Sequence, residues 1–93
     1  MEFVATLTGI MTVKEAIDAG YGYYVKIKAK EENRELREDD MIVVLNIVNT
    51  TSFQVFFLDK GLEHIKEELK NINVRLNYDS EKAIKRYLEG LKR

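Results

Sequence analysis

The apolar positions of this chain cluster most densely between Met41 and Leu58. Met41–Val48 is an almost unbroken apolar run, Asn49–Ser52 is polar, and Phe53–Leu58 is apolar and aromatic again. Two β-branched and aromatic runs around a short polar break predict a β-hairpin. Both faces of its second run carry apolar weight, with Phe53, Val55 and Phe57 on one side and Phe56 and Leu58 on the other. The first run, nearly continuous in apolar residues, predicts a strand buried on both faces or central in the sheet.

Upstream of the hairpin, Phe3–Thr8 alternates and places Phe3, Ala5 and Leu7 on one face of a first strand. Thr12-Val13-Lys14-Glu15 has the spacing of a capping box and opens a short helix over about 13–19. Gly20 supplies its left-handed stop. Tyr23–Lys30 alternates more cleanly than any other segment. Tyr23, Val25, Ile27 and Ala29 point one way, and Tyr24, Lys26, Lys28 and Lys30 the other, which predicts a half-buried strand with one solvent face. Residues 31–40 are nearly all charged and read as a solvated loop, with Leu36 tucked back onto the core.

Downstream, Asp59 can cap a helix running to about Asn71, with an apolar stripe of Leu62, Ile65, Leu69 and Ile72. Residues 73–78 read as a fifth strand with Val74, Leu76 and Tyr78 inward. Asp79 and Ser80 then open a last helix to about Leu91, striped by Ala83, Ile84, Tyr87, Leu88 and Leu91. The predicted order is β-α-β-β-β-α-β-α. It describes an α+β fold, one domain over residues 1–93, with a mixed, mostly antiparallel five-stranded sheet packed by three helices.

Composition narrows the setting. A chain of 93 residues suits one domain. The absence of cysteine rules out disulfides and thiolate metal sites, and is compatible with a reducing cytoplasm. No apolar run reaches the length of a membrane span and no signal peptide is evident, so the expected location is cytoplasmic with no membrane partner. A net charge of −1 gives the whole chain no electrostatic drive toward nucleic acid, yet the charge is uneven. Residues 1–47 hold six Lys and Arg against nine Asp and Glu, and residues 48–93 hold nine against seven.

Candidate chemistry is sparse. With no cysteine, one histidine and two serines at Ser52 and Ser80, no local signature supports a nucleophile with its base. His64, the single histidine, lacks metal-ligand spacing around it and reads as a helix-surface residue. The acidic clusters Glu31-Glu32 and Glu38-Asp39-Asp40 do not have the spacing of a calcium loop. No catalytic residue, metal site or cofactor is therefore expected. Two cationic groups remain as a candidate binding surface. Tyr24, Lys26, Lys28 and Lys30 would form one aromatic and basic strand face, as single-stranded nucleic acid uses. Lys82, Lys85 and Arg86 lie close together on the outer side of the last helix. Lysines on an exposed strand also guard a sheet against edge-to-edge pairing.

Thr12-Val13-Lys14-Glu15-Ala16, Tyr24-Val25-Lys26-Ile27 and Glu38-Asp39-Asp40 together resemble a family of small, uncharacterised archaeal proteins of unknown function. The resemblance covers most of the chain and implies an archaeal, cytoplasmic setting. It brings no functional residues with it. The reading that follows is a non-catalytic module that binds a protein partner or a second copy of itself. The alternative is an RNA or single-strand binder using the Tyr and Lys strand face.

Overall fold

The computed structural model describes residues 2–32, 34–47 and 53–91. Four strands form one sheet: β1 (Phe3–Thr12), β2 (Met41–Ile47), β3 (Phe53–Phe57) and β4 (Val74–Leu76). Their order is β3-β2-β1-β4, with β1–β2 and β2–β3 antiparallel and β1–β4 parallel. Four α-helices complete the fold: α1 (Val13–Asp18), α2 (Gly22–Glu32), α3 (Gly61–Asn71) and α4 (Tyr78–Leu91).

The apolar run of β2 explains the architecture. Ile42, Val43, Val44 and Leu45 are all fully buried, which requires cover on both faces of the sheet. Ile42 and Val44, with Val55 and Phe57 of β3, pack against Val13 and Ala16 of α1 and Val25 and Ala29 of α2. Val43, Leu45 and Phe56 pack on the other face against Ile65 and Leu69 of α3 and Ile84 of α4. The molecule is therefore a helix–sheet–helix sandwich with two cores. Each large apolar side chain moved fully out of water contributes about 1.5–3 kcal/mol, so β2 anchors both.

Strand β1 needs a β-bulge to serve both cores. Leu7 pairs with Leu45 but Gly9 pairs with Val44, leaving Thr8 as the extra residue. Side-chain parity flips there, so Ala5, Leu7 and Ile10 all meet the α3–α4 core while Met11 meets the α1–α2 core. Past the end of β4, one backbone group and one side chain carry on the ladder. The Asn77 backbone N–H donates to the Ala5 carbonyl at 3.0 Å, and the Leu7 N–H donates to the Ser80 hydroxyl at 2.7 Å.

Several expectations hold. Thr12 caps α1 by accepting from the Glu15 N–H at 3.1 Å, and Gly20 follows at φ +95°. Strands β2 and β3 form the antiparallel hairpin, although its expected turn at Asn49–Ser52 lies outside the described residues. Val74 and Leu76 are buried, and Leu36 packs against the α1–α2 core.

Other expectations are corrected. Tyr23–Lys30 is helical, so among the described residues the sheet has four strands and not five, and the order is β-α-α-β-β-α-β-α. Lysine, alanine and glutamate at 26 and 28–32 all favour helix. At helical spacing, Tyr21, Tyr24, Val25 and Ala29 fall on one side and cover the face of β2 and β3 that would otherwise be bare. Tyr78 is 68% exposed rather than inward, because β4 ends at Leu76 and α4 begins at Tyr78 itself. The cap of α4 is Asn77, whose side-chain oxygen accepts from the Ser80 N–H at 2.8 Å. Asp59 does not cap α3. It sits in a short 3-10 turn (Leu58–Lys60) and pairs instead with Arg34.

Candidate functional site

Rebuilding Tyr23–Lys30 as a helix redistributes the candidate surface. A residue's neighbours on a helix lie three and four positions away, not two. Tyr24 turns inward, half-buried against the α1–α2 core, with its ring edge-to-face to Tyr23 at 6.0 Å. Lys26 and Lys30 stay exposed, and Tyr23 and Ile27 join them to make one outward face of α2 at positions i, i+3, i+4 and i+7. Tyr23 is 73% exposed and Ile27 36%. Ile17 of α1, 45% exposed, lies beside the start of α2, where a Cβ on Gly22 would stand 3.5 Å from its side chain. Ile17, Tyr23 and Ile27 are thus exposed apolar residues of the α1–α2 layer, and Lys26 and Lys30 share the outward face of α2. Helical spacing gives residues 22–32 no distinct apolar stripe, so the alternation of 23–30 was the stronger local pattern.

Lys28 leaves this surface altogether. It lies 5.3 Å from the centre of the Phe56 ring and pairs with Glu68 of α3 at 3.1 Å and Glu31 at 3.3 Å. Helices α2 and α3 cover opposite faces of the sheet, and β3 is the edge strand between them. The Lys28 side chain therefore clasps the two layers together around that edge. Burial by itself would lower the Lys28 pKa; hydrogen bonds and charge from Glu68 and Glu31 outweigh it and raise the pKa.

Lys82, Lys85 and Arg86 are exposed on the outer side of α4, with the Lys82 ammonium 4.4 Å from the centre of the Tyr78 ring. Because α4 covers the face opposite α2, the two cationic groups sit on opposite sides of the sheet and do not form one surface.

One carboxylate of the acidic segment after α2 is built into the fold. Asp40, with its side chain only 10% exposed, accepts from Arg34 at 2.9 Å, from the Arg37 backbone N–H at 3.1 Å and from the Arg37 guanidinium at 3.4 Å. Arg34 also pairs with Asp59 and lies 4.5 Å from the centre of the Phe57 ring. Burial would push the Asp40 carboxyl up. The Arg37 N–H and the charges of Arg34 and Arg37 more than offset this and hold its pKa below the ordinary value. Asp40 is thus an ionised structural ligand for two arginines. Glu35, Glu38 and Asp39 are exposed. His64 lies on α3 with its Nε2 3.6 Å from Glu68. Among the described residues no group of three or more His, Cys, Asp or Glu could hold a metal ion, and no helix is long and apolar enough to cross a membrane.

A cleft of about 840 Å³ opens at the other edge of the sheet. Its floor is β4, and its wall is the flank of α3 bearing Glu63, Lys66, Glu67 and Lys70. Lys66 pairs with Glu81 at 3.0 Å and Arg75 with Glu2 at 2.8 Å along its rim.

Comparison with known proteins agrees with the resemblance read from the sequence. The model of a family described as "Domain of unknown function (DUF749)" matches residues 3–88. The chain is similar to the protein named "Uncharacterized protein MJ0858" of the archaeon Methanocaldococcus jannaschii, at 52% identity over 99% of this chain and 83% of that protein. No solved structure matches the chain.

Proposed function

We propose that this chain, which belongs to the DUF749 family, is a non-catalytic protein-interaction module that works through the outer face of α1 and α2. The observation that carries the reading is the exposure of Tyr23, 73%, in line with Ile27 and beside Ile17. Helix α2 buries Val25 and Ala29 on one side and still presents apolar side chains on the other. A small domain gains nothing in stability from an exposed tyrosine–isoleucine cluster, and such clusters mark contact surfaces. Lys26 and Lys30 border the cluster. The partner chemistry that fits is an apolar segment with acidic residues at its rim, docking helix against helix. The cysteine-free composition suits action in a reducing cytoplasm.

The single-strand reading loses support, because Lys28 is engaged with Glu68 and Tyr24 packs inward, leaving Tyr23, Lys26 and Lys30 as its remaining elements. An amide chemical-shift titration separates the two readings. The titrants are an acidic amphipathic helical peptide, a basic one of matched hydrophobicity, and an oligouridylate. The acidic peptide is expected to shift Ile17, Tyr23, Lys26, Ile27 and Lys30, and to lose that effect in Tyr23→Ser/Ile27→Ser. No shift from either peptide at millimolar concentration would overturn the proposal. Shifts from the oligouridylate alone, falling steeply with salt, would replace it with the nucleic-acid reading.

A further inference from the structure

The two edges of the sheet are treated differently. Edge β3 is crossed by the Lys28–Glu68 clasp. Among the described residues no ion pair crosses edge β4, which lines the cleft. The Phe3 N–H donates to the Asn73 carbonyl and the Asn77 N–H donates to the Ala5 carbonyl, so the ladder to β1 uses the Asn73 carbonyl, the Asn77 N–H and, by the parallel register, the polar groups of Arg75 between them. Alternation along a strand then turns the N–H and C=O of Val74 and Leu76 outward. Unpaired groups on an open edge are a template for another strand.

We infer that a second copy of this chain docks here, β4 against β4 in antiparallel register, to make one continuous eight-stranded sheet. This surface is separate from the α1–α2 face, and the inference stands on different residues. Two features point to a second copy rather than to some other strand. First, the outward groups of Val74 and Leu76 are symmetric about Arg75. A two-fold axis through Arg75 pairs Val74 of each copy with Leu76 of the other, and both pairs exchange hydrogen bonds, as a self-complementary interface requires. Second, the α3 flank lining the cleft reads acid, base, acid, base at Glu63, Lys66, Glu67 and Lys70. The same axis runs the two flanks antiparallel, setting Glu63 against Lys70 and Glu67 against Lys66, which also holds Glu81 of its own chain at 3.0 Å. The axis brings the two Arg75 side chains together, and each arrives already paired with its own Glu2 at 2.8 Å.

The test uses charge exchange across the proposed axis. Lys66→Glu/Lys70→Glu makes the flank wholly acidic, and Glu63→Lys/Glu67→Lys makes it wholly basic. All four side chains lie on the cleft wall rather than in either core, so folding is checked by circular dichroism and is expected to survive. In light scattering after size exclusion, the wild type is expected at twice the 10.9 kDa chain mass. Each variant alone is expected at the single-chain mass, and the equimolar mixture at the doubled mass. Val74 and Leu76 amides are expected to exchange with solvent at least tenfold more slowly in the dimer than in either single variant. A wild type that stays at one chain mass up to millimolar concentration overturns the inference. A dimer in which the Val74 and Leu76 amides exchange as fast as in the variants, or one broken by Tyr23→Ser, overturns it too, by placing the contact elsewhere.

Discussion

Replacing Ser80 with alanine removes one oxygen atom from a place where the fold has no substitute for it. Ser80 is 4% exposed, at the start of α4, and its hydroxyl accepts from the Leu7 N–H at 2.7 Å. Leu7 stands on β1 just before the bulge and just beyond the end of β4, so no strand carbonyl is available on that side. In Ser80→Ala the part-buried Leu7 N–H is left without a partner, which costs about 1–3 kcal/mol. Alanine returns roughly 0.5 kcal/mol through its higher helix propensity. The net expectation is a loss of about 1–2 kcal/mol, and for a domain of this size that lowers Tm by roughly 5–15 °C. Urea unfolding followed by circular dichroism at neutral pH measures the loss, with the exposed Lys85→Ala as a control expected within about 0.5 kcal/mol of wild type. Hydrogen exchange at the Leu7 amide gives the local readout and should accelerate well beyond that of neighbouring β1 amides. A destabilisation under about 0.5 kcal/mol, or an unchanged Leu7 amide, would refute the claim that Ser80 completes the ladder.

Two further predictions concern ion pairs. Asp40→Asn should cost about 1–3 kcal/mol near neutral pH, since it removes charged hydrogen bonds to Arg34 and Arg37. Because the Asp40 pKa is lowered in the folded state, its contribution is complete above the unfolded carboxylate value near pH 4. It is lost as pH falls through the folded value, so the gap between wild type and variant in urea midpoints should hold from about pH 7 to 5 and close below about pH 4. A gap that widens on acidification would contradict the assignment. For the clasp around β3, a double-mutant cycle of Lys28→Ala and Glu68→Ala should give a coupling of about 0.5–1 kcal/mol that shrinks in about 0.5 M salt. Zero coupling at low salt would mean that the two layers are held by their cores alone.

The hydrophobic pattern by itself determined the centre of this protein. A short, β-branched apolar run with no polar face, as in Ile42–Leu45, reads as a strand covered on both sides, and the stripes of α3 and α4 supply helices to cover it. The family resemblance, too, was legible in short segments of the chain. Tertiary structure decided the remainder, and Tyr23–Lys30 shows why. Read with a period of two or of 3.6, the segment buries Val25 and Ala29 in either case. What differs is Tyr23 and Ile27, inward on a strand and outward on a helix. Local pattern cannot choose between these readings. The choice comes from Ile42, Val44, Val55 and Phe57, a sheet face assembled from residues distant in sequence that needs a helical layer over it. The same step removed Lys28 from the candidate surface and brought Tyr23 and Ile27 into it. Strand order lies equally beyond local pattern. Only the assembled sheet puts β4, parallel to β1, at one edge and β3, under the Lys28 clasp, at the other.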